Sequence, residues 1–297
     1  MPLPLLMDDR EPVRCPSGLY VVATPIGNLE DITLRAIRTL NGVDLIAAED
    51  TRHTARLLSH YRIRTPLISC HEHNERQRTP ELIDKIRSGA SVALVSDAGT
   101  PSVSDPGYRL VRSAVELGLD VIPIPGVSAA VTGLCASGLP TDAFVFLGFA
   151  PKKKGKRMDL LASLAAEPRT LIFYESPRRV SVFLDEIRAV MGDRRAALGR
   201  EMTKFHEEFI RGTLSEILIV LGDRPEVKGE CTLMVEGAAA SDSVSTADLT
   251  DALRDALAQP GAHLSSLSKA FAHQYQLPRK TVYEMALAIQ KETAASD

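Results

Sequence analysis

Long apolar runs are missing from this 297-residue chain: none approaches the roughly 20 residues that a membrane-spanning helix needs. Its start, MPLPLLMDDREP, has acidic residues and prolines where a secretory signal would carry a basic region and a longer apolar core. Residues 1–14 are therefore expected to be a flexible tail on a cytoplasmic protein. Cysteine is scarce and scattered. Cys15, Cys70, Cys135 and Cys231 form no CxxC pair and no Cys/His ligand spacing, which argues against a disulfide framework or a metal site and suits a reducing compartment. No sign of charge dominates either, with 35 Lys and Arg against 38 Asp and Glu and a net charge of −3, so any grip on a polyanion must come from a local patch. Aromatic residues make up only 5%, which leaves no evident platform for stacking single-stranded bases. The standard phosphate cradles are absent as well: no GxGxxG follows a strand, and Gly155-Lys156 is followed by Arg157 with Ala150 where a Walker loop needs glycine. No GxSxG nucleophile elbow occurs.

What is present is enough apolar sequence, 44%, to bury a sizeable core, arranged as short aliphatic runs alternating with helical periodicity. That pattern predicts βα units around a mostly parallel sheet. Strands are expected at 19–23, 44–48, 67–70, 92–95 and 121–124, and again at 144–147, 170–174, 196–199, 208–212 and 231–236. Thr79-Pro80-Glu81 reads as a helix start with proline at the first helical position, and Asp105-Pro106 as a second, with Leu110, Val111, Ala114 and Val115 as its apolar stripe. Ten strands are many for one sheet, and PIPGVSA near Pro125 divides them. The expected organisation is an α/β domain over 15–125, a second over 126–240, and a linker with a small helical module over 241–297, opened by the small-residue stretch GAAASDSVS.

Ligands of parallel α/β sheets sit beyond the carboxyl ends of the strands. Four successive strand ends here carry TPIGN, EDTRH, HEHNE and SDAGTPSVSDPG. Each also has a plainer reading. TPIGN suits an ordinary turn, EDTRH a solvated helix start, and HEHNE lacks the i,i+4 histidine spacing of a helical zinc site. SDAGTPSVSDPG is longer than any turn requires. The basic run PKKKGKR, 151–157, is either a solvated surface or an RNA contact.

GLYVVATPIGNLEDITLRA, AAEDTRHTARLL, HEHNE, LVSDAGTPSVSDPG, PIPGVSAAVTGLCASGLP, FLGFAPKKKGKR, FYESPRR and GREMTKFHEE follow one another over roughly residues 15–240. Together they closely resemble the bacterial small-subunit (16S) ribosomal RNA ribose 2′-O-methyltransferases of the tetrapyrrole methylase superfamily. The resemblance implies two αβα domains of a non-Rossmann type with S-adenosylmethionine in the cleft between them, a homodimer, and as substrate a cytidine in the decoding region of the small-subunit RNA or 30S particle. It places Pro25, Gly99, Thr100, Pro101, Val103, Ser128 and Ala129 against the donor, with Tyr174, Glu175, Glu236 and Gly237 closing from the second domain.

Methyl transfer from a sulfonium is an in-line displacement governed by alignment and needs no metal. A ribose hydroxyl is a poor nucleophile, so a base or an orienting group would help. Glu49, Asp50, His71, Glu72, Asp97, Glu175, Arg200 and Glu201 stand at the right strand ends, and Asp97 and Glu201 are the first choices among them. RNA is expected on Lys152, Lys153, Lys154, Lys156, Arg157, Arg178, Arg179 and Arg200. The C-terminal segment 264–289 reads as two helices around Gln276-Leu277-Pro278, either a helix-turn-helix-like RNA contact or a pair docked on the main body by Leu267, Phe271, Val282 and Met285. The competing functions are a tetrapyrrole or precorrin methylase and a non-catalytic RNA-binding assembly factor.

Overall fold

In a computed structural model, residues 14–239, 246–259, 263–274 and 279–294 are described; the expected 1–14 tail therefore lies outside them except for Arg14, as does Pro278. Residues up to Gly237 form one compact unit and residues from Ala238 a second.

The first sheet is wholly parallel. β1 (Gly18–Val22), β2 (Leu45–Ala48), β3 (Leu67–Ser69), β4 (Ser91–Val95) and β5 (Val121–Ile124) run in the order β3-β2-β4-β1-β5. All five residues of β4 are buried, as expected for a central strand covered on both faces. One face packs on α1 (Leu34–Gly42) and α2 (Thr51–His60) through Leu40, Ile46, Leu58 and Val95. The other packs on α3 (Glu75–Arg87) and α4 (Tyr108–Glu116) through Leu82, Ile86, Leu94 and Leu110.

Two helix starts differ from expectation. α3 begins at Glu75 and runs through Pro80, whose missing N–H releases the Arg76 carbonyl, while the Thr79 hydroxyl donates to the Glu75 carbonyl (2.8 Å) instead of capping a helix. α4 begins after Gly107, so Asp105-Pro106 stays in the loop and Asp105 is free for other duty. Its cap is supplied from a distance: buried Glu75 accepts from the Gly107 and Arg109 amides at 3.0 and 2.9 Å, placing a carboxylate on the positive end of the helix. Leu110 and Ala114 are buried as predicted, but Val115 faces solvent.

The second sheet is mixed rather than mostly parallel. β6 (Phe144–Phe149), β7 (Thr170–Glu175), β8 (Arg195–Arg200), β9 (Glu208–Thr213) and β10 (Cys231–Val235) lie in the order β6-β7-β10-β8-β9, and only β6 and β7 are parallel. α6 (Lys154–Ser163), α7 (Val180–Met191) and α8 (Leu214–Gly222) cover one face around Phe173, Phe183 and Leu233. α5 (Ala129–Ser137) covers the other through Ala130 and Leu134, against Ile172 and Met234. The αβα layering of both lobes is thus observed.

In the second unit, α9 (Thr246–Leu257), α10 (Leu264–Gln274) and α11 (Arg279–Ala294) share a core of Leu249, Leu253, Val282, Ala286 and Ile289. Phe271 and Met285 pack against that core, so these two residues serve the unit itself.

Candidate active site

The carboxyl edge of the first sheet meets the second lobe through a chain of short contacts. Thr24 and Gly99 exchange backbone hydrogen bonds (2.9 and 3.0 Å), clamping TPIGN to the loop after β4. Thr100 Oγ1 donates to the Val127 carbonyl at 3.2 Å, and the Ala130 amide donates to the Tyr174 hydroxyl at 3.2 Å. Pro25, Gly99, Thr100, Pro101, Ser128, Ala129 and Tyr174 are thereby brought to one locus, with Val103 40% exposed on the same loop. On the other side of the junction the Asn28 amide donates to Thr203 Oγ1 (3.0 Å), and Gly27 lies so close to the Lys204 side chain that a Cβ there would force it to move.

Strain concentrates here. Among the described residues five non-glycines have left-handed backbone, and four of them, Ser102, Ser104, Glu201 and Thr203, sit in these facing loops at φ between 47° and 68°. Each costs about 1–2 kcal/mol, which the surrounding contacts must offset.

The acidic residues divide into pinned and poised. Asp97 Oδ1 accepts from the Asp50 amide (3.0 Å), and its own amide donates to Glu49 Oε2 (3.3 Å), so Asp97 fastens two strand ends together. Glu201 pairs with Lys204 (2.8 Å) and accepts from the Glu230 amide (2.8 Å), and the Lys204 bond holds its carboxyl below the usual range. Asp105 behaves oppositely. Burial and then the nearby Glu49 charge push its carboxyl up to about 6, against a hydrogen bond from Ser96. It lines a cavity of about 670 Å³ with Glu49, Glu72, Ser104, Tyr108 and Arg112. Burial likewise raises Glu49, and raises the Tyr174 hydroxyl, which also feels the Asp105 charge from across the junction. Sequence reasoning missed Asp105 because an Asp-Pro pair before an amphipathic stretch looks like a helix cap.

Several expected placements need correction. Glu236 and Gly237 lie at the opposite end of the second sheet, the Glu236 amide bonded to the Arg195 carbonyl and Gly237 against Pro168. β10 runs antiparallel to β7, so Val235 stands beside Leu171 while Cys231 stands beside Glu175, about 13 Å apart along the strand. Glu175 is buried on the face away from Tyr174, where its Oε1 accepts from Arg179 (2.6 Å). Arg157 is not on the surface: its guanidinium makes a bidentate pair with buried Glu186 (2.5 and 2.7 Å) and donates to the Pro151 and Lys152 carbonyls, both at 3.0 Å. Arg200 is committed to Glu208 at 3.2 Å, with Nε buried and unpaired. Lys152, Lys153, Lys154, Lys156 and Arg178 are exposed. The HEHNE loop is a capped turn in which Asn74 accepts from the His71 amide (2.8 Å) and donates to Ser69 (3.1 Å), while Glu75 caps α4.

The junction fits an adenosyl sulfonium. Its walls are small or rigid residues backed by fixed backbone, and it carries carboxylates for a cation. Residues 18–218 match the family described as Tetrapyrrole (Corrin/Porphyrin) Methylases. A solved structure of uroporphyrin-III C-methyltransferase from Thermus thermophilus, complexed with S-adenosylhomocysteine, is similar in fold: TM-score 0.52, 20% identity, 73% of this chain and 96% of that one. Fold and site define an S-adenosylmethionine-dependent methyltransferase of the two-lobed, non-Rossmann class.

Two curated relatives narrow this. "Ribosomal RNA small subunit methyltransferase I" of Synechocystis sp. is 47% identical over 92% of this chain and 99% of its own length. The protein of the same name from Halalkalibacterium halodurans is 54% identical over 74% and 75%. The chain belongs to the ribosomal RNA small subunit methyltransferase I family.

Proposed function

We propose that this enzyme methylates the ribose 2′-hydroxyl of a cytidine in the decoding region of small-subunit ribosomal RNA. The observation that carries the RNA reading is the placement of Lys152, Lys153, Lys154 and Lys156. They follow β6, whose Gly148 abuts Ser104 of the first lobe so closely that a Cβ there would lie 2.7 Å from its Oγ. A row of four lysines beside the cleft matches the repeated charge of a phosphate backbone. Relatives of the same name support the substrate, and the resemblance in the sequence supports the nucleotide and the position of methylation.

S-adenosylmethionine, when bound, supplies an activated methyl group for in-line displacement. Pro25, Gly99, Thr100, Pro101, Val103, Ser128, Ala129 and Tyr174 would hold it. The chain's own contribution to the chemistry falls to Asp105. Its carboxyl is half-buried, follows Ser104 at the contact with Gly148 of the second lobe, makes its charge felt at Tyr174, and has a pKa of about 6, in the range where a carboxylate can accept the hydroxyl proton. Glu49 keeps that carboxyl basic, and Asp97 and Glu201 hold the loops around it. In solution we expect a cytoplasmic homodimer, which sedimentation tests directly; among the described residues no helix is long and apolar enough to cross a membrane.

The deciding experiment offers labelled donor with naked small-subunit RNA, with 30S subunits and with a porphyrin side by side. The methylated ribose is then mapped by its resistance to alkaline cleavage, since a 2′-O-methyl group blocks attack on the adjacent phosphate. Label entering the porphyrin, or RNA label at a base, overturns the reading.

A further inference from the structure

β6 contains a one-residue irregularity with a consequence for side-chain direction. Phe146 stands beside Ile172 and Gly148 beside Phe173, so the register of β6 against β7 slips between them. Gly148 takes φ +61°, a conformation open to glycine and awkward for other residues. In an unbroken strand, residues three apart point to opposite faces. The bulge cancels that alternation and puts Phe146 and Phe149 on the same side, both against Tyr174, with ring centroids 4.9 and 5.7 Å from it. Tyr174 is itself fixed by the Ala130 amide. Phe146 is half-buried in that cluster, but Phe149 is left 60% exposed.

The chain after this exposed ring is held rigidly and is cationic. Arg157, locked to Glu186, grips the Pro151 and Lys152 carbonyls, and Lys152, Lys153 and Lys154 project into solvent. A large exposed apolar ring followed, after two intervening residues, by three lysines is a poor core for a protein interface, where lysine is depleted. It suits a planar base attached to a phosphate backbone, the combination used by single-strand-binding surfaces.

We propose that Phe149 is the stacking surface for the base of the nucleotide being methylated, with the flanking phosphates on Lys152–Lys154. This rests on the RNA reading above. It also explains how a chain with few aromatics meets a nucleobase: a bulge concentrates three rings, Phe146, Tyr174 and Phe149, at one point of the cleft rim.

The test compares full-length wild type, Phe149→Ala and Phe149→Tyr. Three quantities are measured: single-turnover methylation of the better of naked small-subunit RNA and 30S subunits, affinity for that RNA or particle, and affinity for S-adenosylhomocysteine by calorimetry. Stacking is worth about 5- to 100-fold per base, so Phe149→Ala should lose that much in rate or RNA affinity, while Phe149→Tyr keeps nearly all of it. S-adenosylhomocysteine affinity, melting temperature and oligomeric state should be unchanged in both. Full activity and RNA affinity in Phe149→Ala overturn the proposal while the RNA reading stands. Loss of S-adenosylhomocysteine affinity assigns the ring to the adenosyl group instead, and dissociation of an oligomer assigns it to a second copy; either result overturns the proposal. A wild type inactive on both RNA substrates overturns the RNA reading and the stacking proposal with it.

Discussion

The two lobes meet at one cleft but build their halves of it differently. The first lobe contributes mainly backbone and short side chains: a parallel sheet delivers its strand ends to one edge, where Thr24 and Gly99 are knitted by main-chain bonds and the Thr100 hydroxyl reaches the Val127 carbonyl. The second lobe contributes longer side chains held in place by one another, such as Lys204 with Glu201 and Glu230. Parallel strands gather loops at one end, whereas antiparallel strands send alternate loops to opposite ends, so a mixed sheet has fewer backbone segments to offer and relies on charged side chains. On the proposed function, the first lobe holds the compact donor and the second the spread, charged polymer.

Substitutions can break that contrast at different strengths. The largest effect is expected on the first-lobe side at Asp105, where Asp105→Asn should lower single-turnover methylation by about 10²–10⁴-fold with donor affinity retained. Wild-type activity should rise as the pH passes about 6, where the carboxyl loses its proton, and this limb should vanish in the variant. The sign for stability runs the other way. The folded pKa lies above the unfolded one, so burial costs stability once the carboxyl is charged, and Asp105→Asn should unfold at higher temperature than wild type at pH 8 and lose that advantage toward pH 4.

Next comes Arg157→Ala in the second lobe. It leaves buried Glu186 uncompensated and should cost about 3–5 kcal/mol in urea unfolding, whereas replacing both residues by methionine should cost far less. Changing Lys152, Lys153 and Lys154 together to glutamate should weaken RNA binding roughly 10-fold or more and lower the salt-dependence slope by about 2, with donor affinity intact. Equal loss of both affinities would mean that the lysines support the fold. The smallest effect is expected for Arg112→Ala, which removes a solvent-exposed pair with Glu116 and should leave the melting temperature unchanged within error.

The ten strands were legible because aliphatic runs bounded by glycine, proline and polar clusters are local signals, and each falls within two residues of its expected bounds. Strand direction was not legible, because it depends on partners far away in the chain. That single gap misplaced Glu236 and Gly237, since the carboxyl end of β10 lies opposite that of β7. Arg157 was read as exposed because it belongs to a run of basic residues, and its buried partner Glu186 lies 29 residues further on. Pro80 looked like a helix start because proline favours the first turn, but a helix with a buried face of Thr79, Leu82, Ile83 and Ile86 absorbs one missing hydrogen bond. The glycine- and proline-rich loop after β4 was recognisable as excess over any turn. The titrating carboxylate inside it was not, because its proton affinity is set by the surrounding fold.

The left-handed backbone at Ser102, Ser104, Glu201 and Thr203 bears on how this enzyme can be improved. A search for heat tolerance would choose these four positions first, since glycine there relaxes the chain at once. Each such gain would loosen the wall against which two reactants must be aligned, so robustness is better sought in the helices on the far sides of both sheets, where firmness and turnover do not compete.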